Sequence, residues 1–420
     1  MKGWSTAARL AWLLVICAGG AARAQTLPSE PIALAQGRVT IGGDIAASFA
    51  CQPSVENPCG EDVGFFDYTD YGHSALRLLR IDVTAAVKAG PHFTLLAELR
   101  TENLERVRPY ALYLRIRPWI ARDFDIQVGR IPPTFGAFAR RTYANDNPLI
   151  GYPLAYQYLT SLRPDAVPAS ADELLRKRSV GWLVRYSLGD QTSQPGVPLV
   201  SAFKWDTGVQ AHAAKGIVSA TASVTTGTIS NPLFSDDNDG RQVAGRVELR
   251  PVAGLILGGS AARGPFVGQA AARAALGEAR TDSLTQTAWG ADAEYSRDYY
   301  VLRWETIVSA WTLPVATTPP EQLPLDGPVS AVSTSVEGRY KLRPDFYVAA
   351  RFDHLGFSEI TGAAAGTLPW DAPVTRVEVG AGYSIQRNLL LKLSVQHNTR
   401  DGGVLRRVAT LGAAQVVFWF

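Results

Sequence analysis

Charged side chains that could act on a polar solute are concentrated in an irregular segment, residues 132–177, and just before it. The charged residues that we select there are Arg130, Arg140, Arg141, Asp146, Arg163 and Asp165. Opposite charges across a narrow opening create a transverse field that orders polar solutes. We therefore predict that these residues form a pore constriction, with solvated loop charges as the alternative.

A second set of basic residues alternates with apolar residues in extended segments. Its members are Arg100, Arg115, Arg117, Arg185, Arg246, Arg303, Arg339, Arg351 and Arg376. If the apolar face contacts lipid, these side chains face a lumen, because a charge on the lipid face costs about 2–4 kcal/mol near the midplane. A cationic wall favours anions. Acidic residues such as Glu337 and Asp353 share that face, so mutual neutralisation is an alternative to anion preference.

Residues that could support catalysis are not grouped in the sequence. The five histidines stand at positions 73, 92, 212, 354 and 397. Ser394 and His397 are three residues apart and point to opposite faces of a strand, so they do not form a nucleophile–base pair. No glycine-rich phosphate loop follows a strand and opens a helix. We predict a protein without enzymatic activity, cofactor or metal site.

The elements that carry these residues are strands, because apolar and polar residues alternate in runs of about 10–14 residues. Leu389, Leu391 and Leu393 share one face, and Lys392 and Gln396 share the other. The predicted strands are 37–50, 74–89, 92–104, 108–117, 124–131, 178–188, 202–214, 217–229, 240–251, 253–263, 284–298, 299–313, 332–342, 346–353, 374–386, 388–399 and 407–420.

Composition is compatible with a membrane barrel, and the two ends of the chain, rather than composition, favour this barrel over a soluble β-sandwich. The chain has 420 residues, of which 46% are hydrophobic and 19% charged, with 10 tryptophans and 15 tyrosines suited to interfacial girdles. After residue 24 no apolar run approaches the roughly 20 residues that a spanning helix needs. A membrane protein built from strands must close into a barrel. The net charge of +3 does not favour nucleic acid as a partner.

The two ends of the chain predict export and barrel assembly. Residues 1–24 resemble a cleaved signal peptide that ends at a small-x-small site. Residues 25–36 form a short lead, and residues 37–420 form the barrel. Val416, Phe418 and Phe420 alternate on one face of the last strand, as in the signal that barrel-assembly machinery recognises. We predict insertion into the lipid of a Gram-negative outer membrane.

Two cysteines remain after removal of the signal peptide, Cys51 and Cys59. They bracket a segment rich in proline, asparagine and glutamate. In an oxidising compartment this spacing favours a disulfide within a loop.

Short and long connections alternate along much of the chain, as in outer-membrane barrels. The long connection 264–283 contains an alanine-rich stretch, Gln269 to Arg280, that could form one short helix. Seventeen predicted strands conflict with an even strand number. A strand hidden near 149–163 would give eighteen, which we predict, and removal of one assigned strand would give sixteen. In either case the fold is an all-β, antiparallel transmembrane barrel with an inserted segment at 132–177.

The segment after residue 128 resembles the phosphate-selective porin O and P family. It contains Gly129-Arg130, Pro132-Pro133 and Phe135-Gly136, followed by Asn145-Asp146, similar to that family's motif and pore-entering loop. A second similarity is the Asp236 to Arg241 loop that leads into the strand Val243 to Pro251. The resemblance implies a porin with an inward-folded segment, and it implies a homotrimer.

We predict a passive diffusion channel for small polar solutes, with ion transport that favours anions. One alternative is a non-conducting scaffold or adhesion barrel, plugged by residues 132–177. Another is a channel for a small aromatic or apolar compound, suggested by Tyr143, Tyr152, Tyr156 and Tyr158.

Overall fold

A computed structural model describes most of the chain after residue 29. The described residues are 30–52, 74–76, 78–202, 205–238, 240–277, 284–313, 327–403 and 408–420, without the side chain of Arg140. The predicted signal peptide and Cys59 lie outside these ranges. Cys51 is disulfide-bonded, and its pairing with Cys59 stays a prediction. Within the described ranges, no helix is both long and apolar enough to cross a membrane.

Sixteen antiparallel strands form one closed barrel, so the all-β fold is confirmed and the strand number is sixteen rather than eighteen. In chain order β1 to β16 are Val39–Cys51, Leu79–Lys88, Phe93–Glu102, Arg108–Ile116, Asp123–Ile131, Asp206–Lys215, Val218–Thr225, Gln242–Leu249, Leu255–Pro265, Thr285–Arg297, Tyr300–Trp311, Val329–Arg343, Phe346–Phe357, Val374–Gln386, Leu389–Arg400 and Val408–Trp419. Strand β1 pairs with β16 and so closes the barrel.

Side chains alternate between the two faces of the wall, as the sequence pattern predicts. In β15, Leu393 and Val395 are exposed outward, whereas Lys392 and Gln396 are buried inside. An apolar surface of this kind, all around a closed sheet, suits a surrounding bilayer because every strand edge is paired.

The seam between β1 and β16 is completed by residues at both ends of the described chain. Phe420 and Gly43 exchange two backbone hydrogen bonds of 3.0 Å. Strand β16 does not reach the first residues of β1, and a short strand, Ile32–Leu34, pairs with Val39 to Ile41 there. The added strand therefore covers an edge that would otherwise lie open.

The two ends of the barrel differ in the length of their connections. Tight turns such as Gly216–Ile217 and Pro344–Asp345 lie at the end that also holds Phe420, and the long connections lie at the other. We call these the turn end and the loop end. The predicted helix of the β9–β10 connection is confirmed as α3, Gln269–Leu276, and a two-stranded hairpin, Glu359–Gly362 with Gly366–Pro369, lies between β13 and β14.

The inserted segment between β5 and β6 occupies residues 132–205 and is longer than predicted. It contains a 3-10 turn, Phe138–Arg140, and two short helices, α1 (Leu154–Gln157) and α2 (Ala171–Leu175). The predicted strand 178–188 is wrong, since Leu188–Gly189 pairs with Ala166–Val167 and Val184 bridges Gln194, both inside the segment and not in the barrel wall. The possible strand near 149–163 is wrong because α1 interrupts it.

The insert packs into the loop-end half of the barrel with an apolar core of its own. Buried side chains of the insert meet buried, inward-facing wall residues in one cluster. From the insert it includes Phe135, Tyr156, Leu162, Val184 and Val200, and from the wall Ala262, Ala288, Ile307, Leu355 and Val374. Burial of this apolar surface is the main force that holds the insert inside the barrel.

Candidate functional site: the insert across the lumen

A row of alternating charges crosses five neighbouring strands on the inner wall. We call it the charge ladder, and it consists of Glu294, Arg303, Glu337, Arg351 and Glu378. Each member lies directly opposite the next in the strand register. The successive nitrogen–oxygen distances are 2.9, 2.9, 3.2 and 2.7 Å. The ladder pairs acidic with basic side chains and so neutralises much of the wall charge. Mutual neutralisation was one of the two alternatives that the sequence left open.

The ladder also holds the backbone of the insert. Arg351 donates a hydrogen bond of 2.7 Å to the Gly151 carbonyl, and the Gly151 N–H donates one of 2.9 Å to Glu378. Arg376 donates to the carbonyl of Tyr152 at 3.0 Å. These wall side chains bind backbone groups, so they fix the path of the insert at Gly151.

Lys392 on β15 binds a second stretch of the insert. Its buried ammonium donates to the carbonyls of Ala144, Asn147 and Leu149. Three backbone acceptors match the three donors of an ammonium group. Together with the ladder, Lys392 orders residues 144–151 against β13 to β15.

Residues 141–143 connect opposite sides of the barrel, and we call them the bar. Arg141 lies 2.6 Å from Glu294 on β10, and the Tyr143 hydroxyl donates a hydrogen bond to Glu98 on β3. Arg141 and Glu294 keep side-chain exposures of 23% and 25%, so water reaches this contact. The bar therefore divides the lumen at a level where charged groups remain accessible.

Asp146 lies just beyond the bar and is exposed. Its enclosure within the lumen raises the pKa of the carboxyl above its ordinary value, although Arg303 and Arg141 act in the opposite direction. Asp146 thus supplies an acidic group beside two arginines.

The predicted constriction residues fall into separate places. Arg141 and Asp146 lie at the bar, as just described. The structure contradicts the prediction for Arg130: it shares the outward face with Val128, and its guanidinium stacks 5.3 Å from the Phe234 ring. Arg140 belongs to the 3-10 turn, and its side chain is outside the described part.

Arg163 and Asp165 organise the insert rather than a constriction, which corrects their prediction. Arg163 is fully buried and donates to both Asp165 oxygens at 2.8 and 2.9 Å. It also binds the carbonyls of Val184 and Thr192. A guanidinium with its donors engaged inside the insert does not contact a passing solute.

The arginines predicted for the wall also divide into groups. Arg100 and Arg246 are buried and paired with Asp82 and Asp292 respectively, and Arg303, Arg351 and Arg376 belong to or adjoin the ladder. Arg115, Arg117 and Arg339 lie on the inner face nearer the turn end. Arg185 is the exception, because it is an exposed residue of the insert and not part of the wall.

The tyrosines that suggested an aromatic pathway serve mainly as packing residues. Tyr152, Tyr156 and Tyr158 are buried. The Tyr156 hydroxyl donates to Glu305 at 2.7 Å, and that of Tyr152 donates to the Thr142 carbonyl at 2.8 Å. Only Tyr143 is half-buried, at the bar. These tyrosines therefore no longer support a channel for a small aromatic or apolar compound.

Residues of the site that were not selected from the sequence include Gly151, Glu98 and Glu294. Gly151 was missed because a glycine in an irregular segment gives no signal of its close contact with the wall. Alternation in the predicted strand 92–104 places Glu98 on the same face as Arg100, but its partner Tyr143 lies far away in the chain. Alternation assigns a face to Glu98, and it cannot assign a contact across the lumen.

Comparison with known proteins identifies the fold. No family model and no curated protein matches the chain. Among solved structures, outer-membrane-expressed OmpT of Vibrio cholerae is 12% identical with a TM-score of 0.52, covering 93% of this chain and 100% of that chain. An anion-selective porin from Comamonas acidovorans is 9% identical with a TM-score of 0.52, covering 91% and 99%.

A third similar structure is OmpF of Salmonella typhi in complex with daunomycin, 9% identical with a TM-score of 0.51, covering 91% of this chain and 97% of that chain. At such identities the likeness establishes the fold. The class that the closed barrel and its apolar outer face define is the outer-membrane β-barrel of Gram-negative bacteria.

Proposed function

We propose that the protein is an outer-membrane channel through which small polar solutes diffuse, with a preference for anions. The observation that carries the proposal of a channel is the bar. It divides the lumen with accessible charged groups, instead of filling it with apolar side chains alone. Charged groups fixed at a narrowing act on solutes by their field and need no covalent chemistry. The proposal therefore assigns no catalytic role to the lumen residues.

We extend the proposal to the partners of the channel, which are the membrane lipid, the assembly machinery and other copies of the chain. An apolar outer face fits outer-membrane lipid, and the strand that ends at Phe420 fits recognition by barrel-assembly machinery. OmpT of Vibrio cholerae has been described in a trimer form, and a homotrimer is our proposal for this chain as well.

A plugged, non-conducting barrel is the second candidate, and one observation favours it. The apolar cluster fills the loop-end half, and two ladder residues, Arg351 and Glu378, are completely buried beneath the insert. In that case the insert would serve as a scaffold for surface loops. The two candidates differ in whether the unaltered chain conducts.

Planar-bilayer recording of the full chain in a KCl gradient tests the proposal. We expect discrete conductance steps and a reversal potential shifted toward that of chloride. Absence of steps would overturn the channel in favour of the plugged barrel. Steps with a shift toward potassium would overturn the anion preference alone.

A further inference from the structure

Five basic side chains are exposed on the inner side of the turn end, and we call them the mouth ring. They are Arg38, Lys88, Arg117, Arg250 and Lys341. Lys88 and Lys341 belong to β2 and β12, and the other three lie next to β1, β4 and β8, so they are distributed around the opening. Short turns of outer-membrane barrels face the periplasm, which makes this the periplasmic mouth.

The strand register directs these side chains toward the lumen. Lys341 pairs with Tyr347, whose hydroxyl donates to the Pro148 carbonyl within the barrel. Lys88 has the same parity as the buried Asp82 and Arg80, and its N–H donates to the carbonyl of Arg38. Arg117 lies two residues after the inward-facing Arg115, and Arg250 lies two residues after the inward-facing Glu248. Both therefore have the inward parity of their strands.

The mouth ring differs from the charge ladder in its balance of charge. Within the described residues, Arg38, Lys88, Arg117 and Lys341 form no salt bridge, and Arg250 lies 3.6 Å from a Glu248 that also binds Arg246. Asp123 is an exposed acidic residue on the same inner face. Basic groups therefore exceed acidic ones at the mouth, whereas ladder charges alternate in sign.

We infer that the mouth ring, and not the charge ladder or the bar, determines the preference for anions. The inference rests on the proposed channel function and identifies where selectivity arises. Paired charges of alternating sign produce a field that decays quickly with distance, while an excess of one sign raises the local concentration of counter-ions. The ligands are small inorganic or carboxylate anions that enter or leave through the periplasmic mouth.

Substitution of four ring residues tests this assignment in the full chain. The variant is Lys88→Gln, Arg117→Gln, Arg250→Gln and Lys341→Gln. The matched control removes the same charge at the same end, away from the mouth, by Arg122→Gln, Lys215→Gln, Arg297→Gln and Arg387→Gln, all at exposed positions. The reversal potential is recorded in a KCl gradient at about 0.1 M salt, and the chloride-to-potassium permeability ratio is calculated from it.

We expect the ring variant to lower the permeability ratio by about threefold or more, with discrete steps retained, and the control to leave it unchanged. An unchanged ratio in the ring variant, or an equal fall in both variants, overturns the inference and leaves the channel standing. Absence of steps in the unaltered chain overturns the channel itself.

A second measurement needs no substitution and applies even if the ring variant does not assemble. The Debye length falls from about 10 Å at 0.1 M salt to about 3 Å at 1 M, and exposed charges are screened far more than buried ones. The permeability ratio of the unaltered chain should approach unity in 1 M KCl. A ratio that does not change with salt would place selectivity in the buried charges and contradict the inference.

Discussion

Arg351 shows how single residues fix the insert. Its guanidinium is fully buried, contacts Glu337, Asp353 and Glu378, and donates to the carbonyl of Gly151. Burying a charge costs several kcal/mol unless its partners have good geometry, and removal of one partner leaves the others uncompensated. The arrangement therefore favours one position of the insert over displaced ones.

Gly151→Ala should release the insert from the ladder. A Cβ atom there would lie 2.6 Å from Glu378 Oε2 and from Gln396 Nε2. We expect a loss of about 1–3 kcal/mol in the free energy of unfolding, from overpacking at a buried site. We also expect larger and noisier conductance steps in single-channel recordings.

The control for this substitution is Gly259→Ala, because a Cβ atom at Gly259 meets nothing within 4 Å. Its unfolding in urea and its conductance should match those of the unaltered chain. If the two variants behaved alike, the close contact between Gly151 and the wall would not be what holds the insert in place.

Asp146 gives the channel a defined dependence on pH. Because the pKa of its carboxyl is raised, protonation begins at a higher pH than for an ordinary aspartate. As pH falls, loss of this negative charge near the bar should raise the chloride-to-potassium permeability ratio modestly above the value that the mouth ring sets. Recording at successive pH values checks this effect, and Asp146→Asn should show the raised ratio already at neutral pH. A decrease on acidification would contradict the assignment.

At the scale of elements, the strands follow directly from local alternation. Side-chain direction has a period of two in any strand, so the sequence predicts both the strand and the face of each residue. The error at 178–188 has a physical cause. Val184 and Tyr186, two residues apart, are buried inside the insert, so a segment that packs in the core of the insert alternates like a wall strand. Alternation alone does not distinguish a strand of the barrel wall from a segment that packs in the core of the insert.

The bar is the element whose removal should alter conduction most simply. The double variant Arg141→Gln, Tyr143→Phe removes both groups that anchor it to β10 and β3. We expect the single-channel conductance to rise by about twofold or more, because the insert no longer holds its position across the lumen. Arg122→Gln, Tyr299→Phe makes the same chemical changes at exposed turn residues and should leave conductance unaltered.

At the scale of the whole molecule, the sequence predicts the barrel better than its interior. Strand faces are local properties, and they place Arg303, Glu337 and Arg351 on the inner wall. The contacts between Tyr143 and Glu98, or between Gly151 and Glu378, join residues distant in the chain. They depend on the path of the insert, which apolar burial and backbone hydrogen bonds decide together.

Charge is distributed along the barrel axis in a way that no single residue reveals. The charge ladder alternates in sign, and basic groups exceed acidic ones at the periplasmic mouth. A channel of this kind would separate two tasks, since the insert limits size while the mouth ring selects charge. Lys88 and Arg38 were not selected from the sequence because each lies at a strand end, where solvated charges are ordinary.

In the proposed channel the insert narrows the lumen without sealing it. The decisive measurement is single-channel recording of the full chain beside the Gly151→Ala variant. We expect small discrete steps from the full chain and larger steps from the variant. A silent full chain beside a conducting variant would contradict this expectation, and would show that the insert seals the barrel.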